Sequence, residues 1–360
     1  MGERLNWGII ATGTIARTFA RGVARSQSGR VVAVGSRTLE AAKKFAGELG
    51  VPRAHGSYDA LLADPGVRAV YIATPHPQHV EWVERAAAAG KHVLCEKPLG
   101  VTRAEAERAV AACRARGVLL MEAFMYRCHP QTAKIVELVR GGALGQVRLV
   151  QATFSFAMGF DATNRIFNKA LGGGGILDVG CYPVSLARLV AGAVDGAAFA
   201  DPVRVTGAVE LHPQTGVDVC AAATLQFANG MIAQVATGVA LWQDNSARIY
   251  GTDGWLHVPE PWIPAREGGK VVMYLHRGGK ASPEKIVVRA GDWLYGLEAD
   301  AFAAALAAGR RDVPQMSTAD TLGNMAVLDA WAAVQDKREM GEKTVSKGDD
   351  NGLDRPLSRI

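Results

Sequence analysis

Scarcity narrows the reading of this 360-residue chain first. Aromatics supply 7% of it and charged residues 21%, against 49% hydrophobic, a balance that excludes disordered and fibrous classes. No uninterrupted apolar run approaches the ~20 residues of a bilayer span, so no membrane segment is expected. The five cysteines (Cys95, Cys113, Cys128, Cys181, Cys220) are odd in number, widely spaced and without a CxxC pair. A disulfide framework or zinc site is therefore not expected, and reduced thiols in a cytoplasmic protein are. Charge of one sign is also weak. The net +5 is spread along the chain, and the Arg-rich stretch 108–116 has the spacing of a solvated helix face, so nucleic acid is not an expected partner. At the N-terminus a strand-like segment follows Met1 too closely for a secretory leader. Asn6 in place of Ser or Thr argues against myristoylation at Gly2.

What is present has a clear order. Over the first ~125 residues, short β-branched runs alternate with Ala-rich amphipathic stretches, the pattern of a parallel sheet covered by helices. Strands are expected at 7–11, 30–36, 70–73, 92–95 and 119–122, with helices at 15–26, 39–49, 58–62, 79–89 and 103–116. Thr102 with Glu105 three residues on reads as a capping box for the last of these. A helix at 130–140 follows, then consecutive strand-like runs at 147–158, 203–211, 217–227, 231–240 and 247–250. Asn229-Gly230 is a hairpin signal between two of them. The expected fold is an α/β Rossmann domain (1–125), then an α+β domain (126–335) with a large, mostly antiparallel sheet. A polar tail (336–360) ends the chain.

The first strand–helix junction, Gly8-Ile9-Ile10-Ala11-Thr12-Gly13-Thr14-Ile15-Ala16, follows the dinucleotide fingerprint with two departures. Ala11 stands at the first glycine position and Ala16 at the third. Gly13 lets backbone approach a pyrophosphate at the helix N-terminus. At the end of the second strand, where an NAD enzyme usually carries a carboxylate, stand Ser36 and Arg37. A hydroxyl beside an arginine accepts a 2′-phosphate, so NADP is the expected cofactor; the plainer reading of Arg37 is a solvated residue at a helix start. Two further strands end in Thr74-Pro75-His76-Pro77-Gln78-His79 and in Glu96-Lys97-Pro98. Partial desolvation beside a nicotinamide is expected to lower the Lys97 pKa toward the working range, and Pro98 is a candidate cis residue.

Together with Gly172-Gly173-Gly174-Gly175-Ile176-Leu177-Asp178-Val179-Gly180-Cys181-Tyr182, these motifs resemble the Gfo/Idh/MocA oxidoreductases over nearly the whole chain. The likeness is greatest to the dimeric dihydrodiol dehydrogenase and NADP-dependent D-xylose 1-dehydrogenase branch. The resemblance implies an open-faced sheet that buries its outer face in a homodimer or higher homo-oligomer, and no metal. It also implies that Lys97 is the catalytic lysine and Asp178 the acid of the second motif. Tyr182 stands where most members have histidine. A tyrosine near a lysine cation ionises more easily, and either Lys97 or Tyr182 is the proton acceptor. Asp178, four residues before Tyr182 on one helix face, would orient substrate or lysine.

Plainer readings stand beside these. Gly172 to Gly175 is also a possible flexible linker, and Tyr182 a core residue with a satisfied hydroxyl. His79 either caps the helix after it or meets the nicotinamide. His76 and Arg165 face the cleft or the surface. Glu122 reaches the cleft or pairs with Arg127. Trp242, Trp255, Trp262 and Trp293 stack on a sugar or are buried in core or interface. The function expected is NADP(H)-dependent hydride transfer at a hydroxyl or carbonyl of a sugar or vicinal diol, with a polyhydroxylated small molecule as partner. Cofactor-binding residues are Ala11, Thr12, Gly13, Thr14, Ile15, Ser36, Arg37, Thr74, His76, His79, Glu96 and Lys97. Lys97, Asp178 and Tyr182 are catalytic, and with Arg165 they bind substrate. The alternatives are an aldose–aldose oxidoreductase with permanently bound NADP(H), or a non-catalytic NADP(H) sensor.

Overall fold

The structure is a computed structural model that describes residues 4–334; Gly2 and the tail expected at 336–360 lie outside the described residues. Its first half runs β1 (Leu5–Ile10), α1 (Thr14–Val23), β2 (Gly29–Gly35), α2 (Leu39–Leu49), β3 (Arg53–His55), α3 (Tyr58–Leu62), β4 (Ala69–Ile72) and α4 (His79–Ala88). It ends with β5 (His92–Glu96), α5 (Arg103–Arg116) and β6 (Leu120–Ala123). These six strands form one parallel sheet in the order β3-β2-β1-β4-β5-β6. The order reverses between β1 and β4, which opens a crevice at the strands' C-terminal ends. The sequence reading lacks β3, an edge strand of three residues too short to show alternation. α1 forms because Ala16, Phe19, Ala20 and Val23 fall at helical spacing and bury one face. Thr102 caps α5 as expected, but Glu105 bonds the Val101 amide instead of the cap residue's own.

The second half comprises α6 (Pro130–Arg140), β7 (Val147–Ser155), α7 (Cys181–Val194), β8 (Pro202–Leu211), β9 (Asp218–Phe227) and β10 (Ile232–Gly238). After these come β11 (Ala247–Gly251), β12 (Gly254–Val258), β13 (Gly269–Arg277), β14 (Glu284–Ala290), α8 (Leu294–Ala307) and α9 (Thr318–Ala332). The eight strands lie in the order β14-β13-β12-β11-β7-β10-β9-β8, antiparallel except for β7 with β10. Asn229-Gly230 makes the expected hairpin, with Gly230 at φ 82°. The sheet continues through β12–β14, beyond the last strand read from the sequence. One face packs on helices; on the other, β9 leaves Ala222 and Gln226 exposed and Thr224 half-buried while Ala221, Ala223 and Leu225 are buried.

Two features go beyond the sequence reading. The segment 169–194, which ends in α7, is long and apolar enough by composition to cross a membrane, although Asp178 and Arg188 interrupt it. Its most apolar 18-residue stretch is 94% buried inside the protein, as core segments are. The chain also returns to its beginning. α8 lies against α1 so closely that a Cβ on Gly22 would overlap Tyr295, and Phe302 packs its ring on Trp7 at 5.1 Å.

Candidate active site

The crevice at the C-terminal edge of the parallel sheet is a cavity of about 780 Å³. At one end it is lined by Ala11, Thr12, Gly13, Thr14 and Ile15, the turn from β1 into α1. Ala11 takes the left-handed conformation, φ 85°, at the position where the fingerprint has glycine. Arg17 Nη1 donates to the Thr12 carbonyl and pins the turn. A Cβ on Gly13 would meet nothing within 4 Å, so that face of the turn is open to the cavity. The first turn of α1 has neither a side-chain cap nor an acidic residue, which leaves its amides and dipole available to an anion. Ser36 and exposed Arg37 lie beside this turn. Tyr58, first residue of α3, joins them; no motif in the sequence marks it. A dinucleotide with a 2′-phosphate fits this set: backbone donors for its diphosphate, and a hydroxyl and guanidinium for the phosphate.

Deeper in, Thr74, His76, His79, Glu96 and Lys97 reach the cavity from the ends of β4 and β5, and Arg165, Asp178 and Tyr182 face them from the second half. Thr74 Oγ1 is buried without a partner. The Lys97–Pro98 peptide is cis. His79 neither caps α4 nor stands free. Its ring nitrogens face the Pro98 and Thr74 carbonyls, both at 2.8 Å, tying the two loops together. His76 Nδ1 lies 3.2 Å from the Gly172 carbonyl. Burial, with His79 and the Lys97 cation beside it, pushes the His76 pKa down to about 3, so the ring is neutral.

Lys97 donates from Nζ to the Asp178 carbonyl at 2.5 Å and stands over the Tyr182 ring, 5.2 Å from its centroid. The Asp178 carboxylate accepts from Arg165 Nη2 at 2.9 Å and has His76 Nε2 at 3.9 Å. Burial alone would raise the Asp178 pKa, but the Lys97 and Arg165 cations hold it below the usual carboxylate range. Lys97 departs from expectation. Burial does favour its neutral form, yet Asp178, Cys181 and Glu96 outweigh that and raise its pKa, so it stays an ammonium.

Tyr182 differs too. Burial pushes its pKa far up, where easier ionisation was expected. The cation meets the ring face, not the hydroxyl, which lies 3.4 Å from Met125 Sδ. The ring packs among Phe124, Tyr126, Phe154 and Trp262. Asp178 and Tyr182 do not share one regular helix: residues 176–180 form a π turn ahead of α7.

Glu122 is a further correction. It is buried, accepts from the Leu99 amide at 2.9 Å, and lies outside the cavity, while Arg127 pairs with Asp320. Of the tryptophans, Trp262 is buried and Trp242 is 78% exposed; Trp255 stacks on His276 and Trp293 lies beside Arg25. Sequence reasoning missed Met125, Phe154, Ile263, Arg266 and Tyr295, which complete the cavity wall. No local signal marks the last three, because the fold brings them from beyond β12.

Comparison with known proteins fits this geometry. Residues 5–124 match the family model "Oxidoreductase family, NAD-binding Rossmann fold", and residues 132–257 match the "GFO/IDH/MocA C-terminal domain". The chain is 37% identical over 262 residues to trans-1,2-dihydrobenzene-1,2-diol dehydrogenase of Mus musculus, covering 72% of this chain and 76% of that one. It is 34% identical to D-xylose 1-dehydrogenase (NADP(+)) 2 of Haloferax volcanii, covering 90% and 95% of the two chains. Among solved structures, the 3-ketoreductase KijD10 of Actinomadura kijaniata, in complex with TDP-benzene and NADP, superposes with a TM-score of 0.79 at 30% identity over 92% and 97%. The chain belongs to the GFO/IDH/MocA family of oxidoreductases.

Proposed function

We propose that the chain is an NADP(H)-dependent oxidoreductase acting on a hydroxyl or carbonyl of a sugar or vicinal diol, with Lys97 as its proton-handling residue. The observation that carries this reading is the Lys97 ammonium, held in the cavity between the Asp178 carbonyl and the Tyr182 ring. When bound, the cofactor supplies a hydride donor or acceptor at its nicotinamide ring. The α1 amides, Ser36 and Arg37 would hold its phosphates, and Thr74 its nicotinamide end.

In the direction of reduction, Lys97 Nζ donates its proton to the substrate oxygen as that oxygen gains charge; in oxidation it must first lose that proton and then take one from the hydroxyl. Asp178 and Arg165 form a fixed pair beside it, suited to orienting neighbouring hydroxyls. The Tyr182 hydroxyl, turned toward sulfur and pushed up in pKa, serves the site through its ring. The dihydrodiol and xylose dehydrogenase relatives support a polyhydroxylated substrate.

The test is turnover with aldoses, anhydro sugars and trans-diols, NADP⁺ and NAD⁺ in parallel, followed by nicotinamide absorbance. Lys97→Met should abolish most turnover. Reduction should fall as pH rises through the raised Lys97 pKa, and oxidation should gain. Arg37→Ala should weaken NADP⁺ binding by about 1.5–3 kcal/mol and leave NAD⁺ unchanged. Preference for NAD⁺, or a fully active Lys97→Met, would sink the reading.

A further inference from the structure

We propose that Asp218, the first residue of β9, is a positioning residue that sets Lys97 by clamping the start of the π turn at 176–180. The inference rests on the catalytic reading of Lys97. Asp218 is not among the residues that line the cavity, so it acts through the backbone.

The glycine run gains its meaning from this carboxylate. Asp218 Oδ2 accepts from the Ile176 amide at 2.6 Å. Gly174 sits at φ 106°, and a Cβ there would overlap Asp218 Oδ1. A Cβ on Gly175 would lie 3.1 Å from the Gly238 backbone and 3.3 Å from Asp218 Oδ2. Side chains at these two positions would displace the carboxylate. From β10, Thr237 Oγ1 bonds the Gly175 carbonyl at 3.2 Å and the Phe154 carbonyl at 2.9 Å. The turn has no side-chain cap of its own, so two strands of the sheet supply its anchors.

Those anchors bear on the chemistry through the winding that follows. A π turn replaces the i→i+4 bonds of the regular ladder with i→i+5 bonds, and such turns gather at functional sites. Here the Asp178 carbonyl accepts from Lys97 Nζ, and the Asp178 carboxylate accepts from Arg165. Asp218 bonds the amide two residues before Asp178, so its loss lets that carbonyl drift from the lysine while the cofactor-binding turn of β1 is untouched.

The decisive experiment combines Asp218→Ala with Lys97→Met in a double-mutant cycle. It is paired with pH-dependent competitive acetylation of Lys97 in the cofactor-free protein, read by mass spectrometry. Asp218→Ala should lower kcat about tenfold or more where Lys97 is present, and by less than about twofold in the Lys97→Met background. Loss of the carbonyl should lower the Lys97 pKa, with NADP⁺ affinity retained. Equal losses in both backgrounds, or an unmoved Lys97 pKa, would overturn the proposal. A near-normal Lys97→Met refutes the catalytic reading alone, because the acetylation arm still decides whether Asp218 governs the lysine. Should Asp218→Ala fail to fold, Thr237→Val removes only the hydroxyl's bonds. It should give a smaller effect of the same kind, absent once Lys97→Met is also present.

Discussion

Ala11 is the residue whose chemistry and conformation disagree most plainly. A Cβ in the left-handed region costs roughly 1 kcal/mol, which glycine would avoid. Ala11→Gly should therefore raise unfolding stability by about 1 kcal/mol, less what glycine's freer unfolded chain takes back, and denaturant titration would show it. Glu122 carries a second test. Burial pushes its pKa up to about 7, so the folded state favours the protonated acid relative to the unfolded chain. Its contribution is complete below the unfolded value near 4.5 and is lost as pH rises toward 7. Glu122→Gln keeps an oxygen for the Leu99 amide. It should flatten the fall in stability between about pH 5 and 8, while a fall as steep as the parent's would refute the assignment.

Among the elements, α7, α9 and the turn after β6 meet at one buried charge cluster. Asp320 accepts from Arg188 Nη1 at 2.5 Å and from Arg127 Nη2 at 2.6 Å, and Arg188 also reaches Asp201. Gly323 is required beside it, since a Cβ there would overlap the Arg188 guanidinium. Asp320→Ala leaves the buried Arg127 without a carboxylate and Arg188 with Asp201 alone, and should cost about 3–5 kcal/mol, seen as a lowered melting temperature; a change within about 1 kcal/mol would mean that water enters the cluster. Elements of this kind mark the limit of what the sequence discloses. The Rossmann half was legible because its strands are continuous apolar runs and its helices have amphipathic spacing. Lys97, Asp178 and Arg37 were legible because they follow strand ends or motif glycines. What stayed hidden depends on packing. The π turn looks like ordinary helix in one dimension. The protonation of Lys97 and Tyr182 turns on burial and on the charges the fold gathers around them, and Tyr58, Arg266 and Tyr295 reach the cavity by topology alone.

For the molecule as a whole, the contact of α8 with α1 joins the two halves of the chain. Phe302 is fully buried against Trp7, whose other side meets Phe19. Phe302→Ala should cost about 3–5 kcal/mol. Calorimetry should show the entire transition moving down as a single peak, whereas a split with the second half unmoved would deny the coupling. The same contact has a consequence for how the protein comes into being. A ribosome delivers β1 and α1 well ahead of α8, and the ring that covers Trp7 arrives nearly three hundred residues later. Until then the dinucleotide-binding half is a domain with an open flank, and its completion waits on α8.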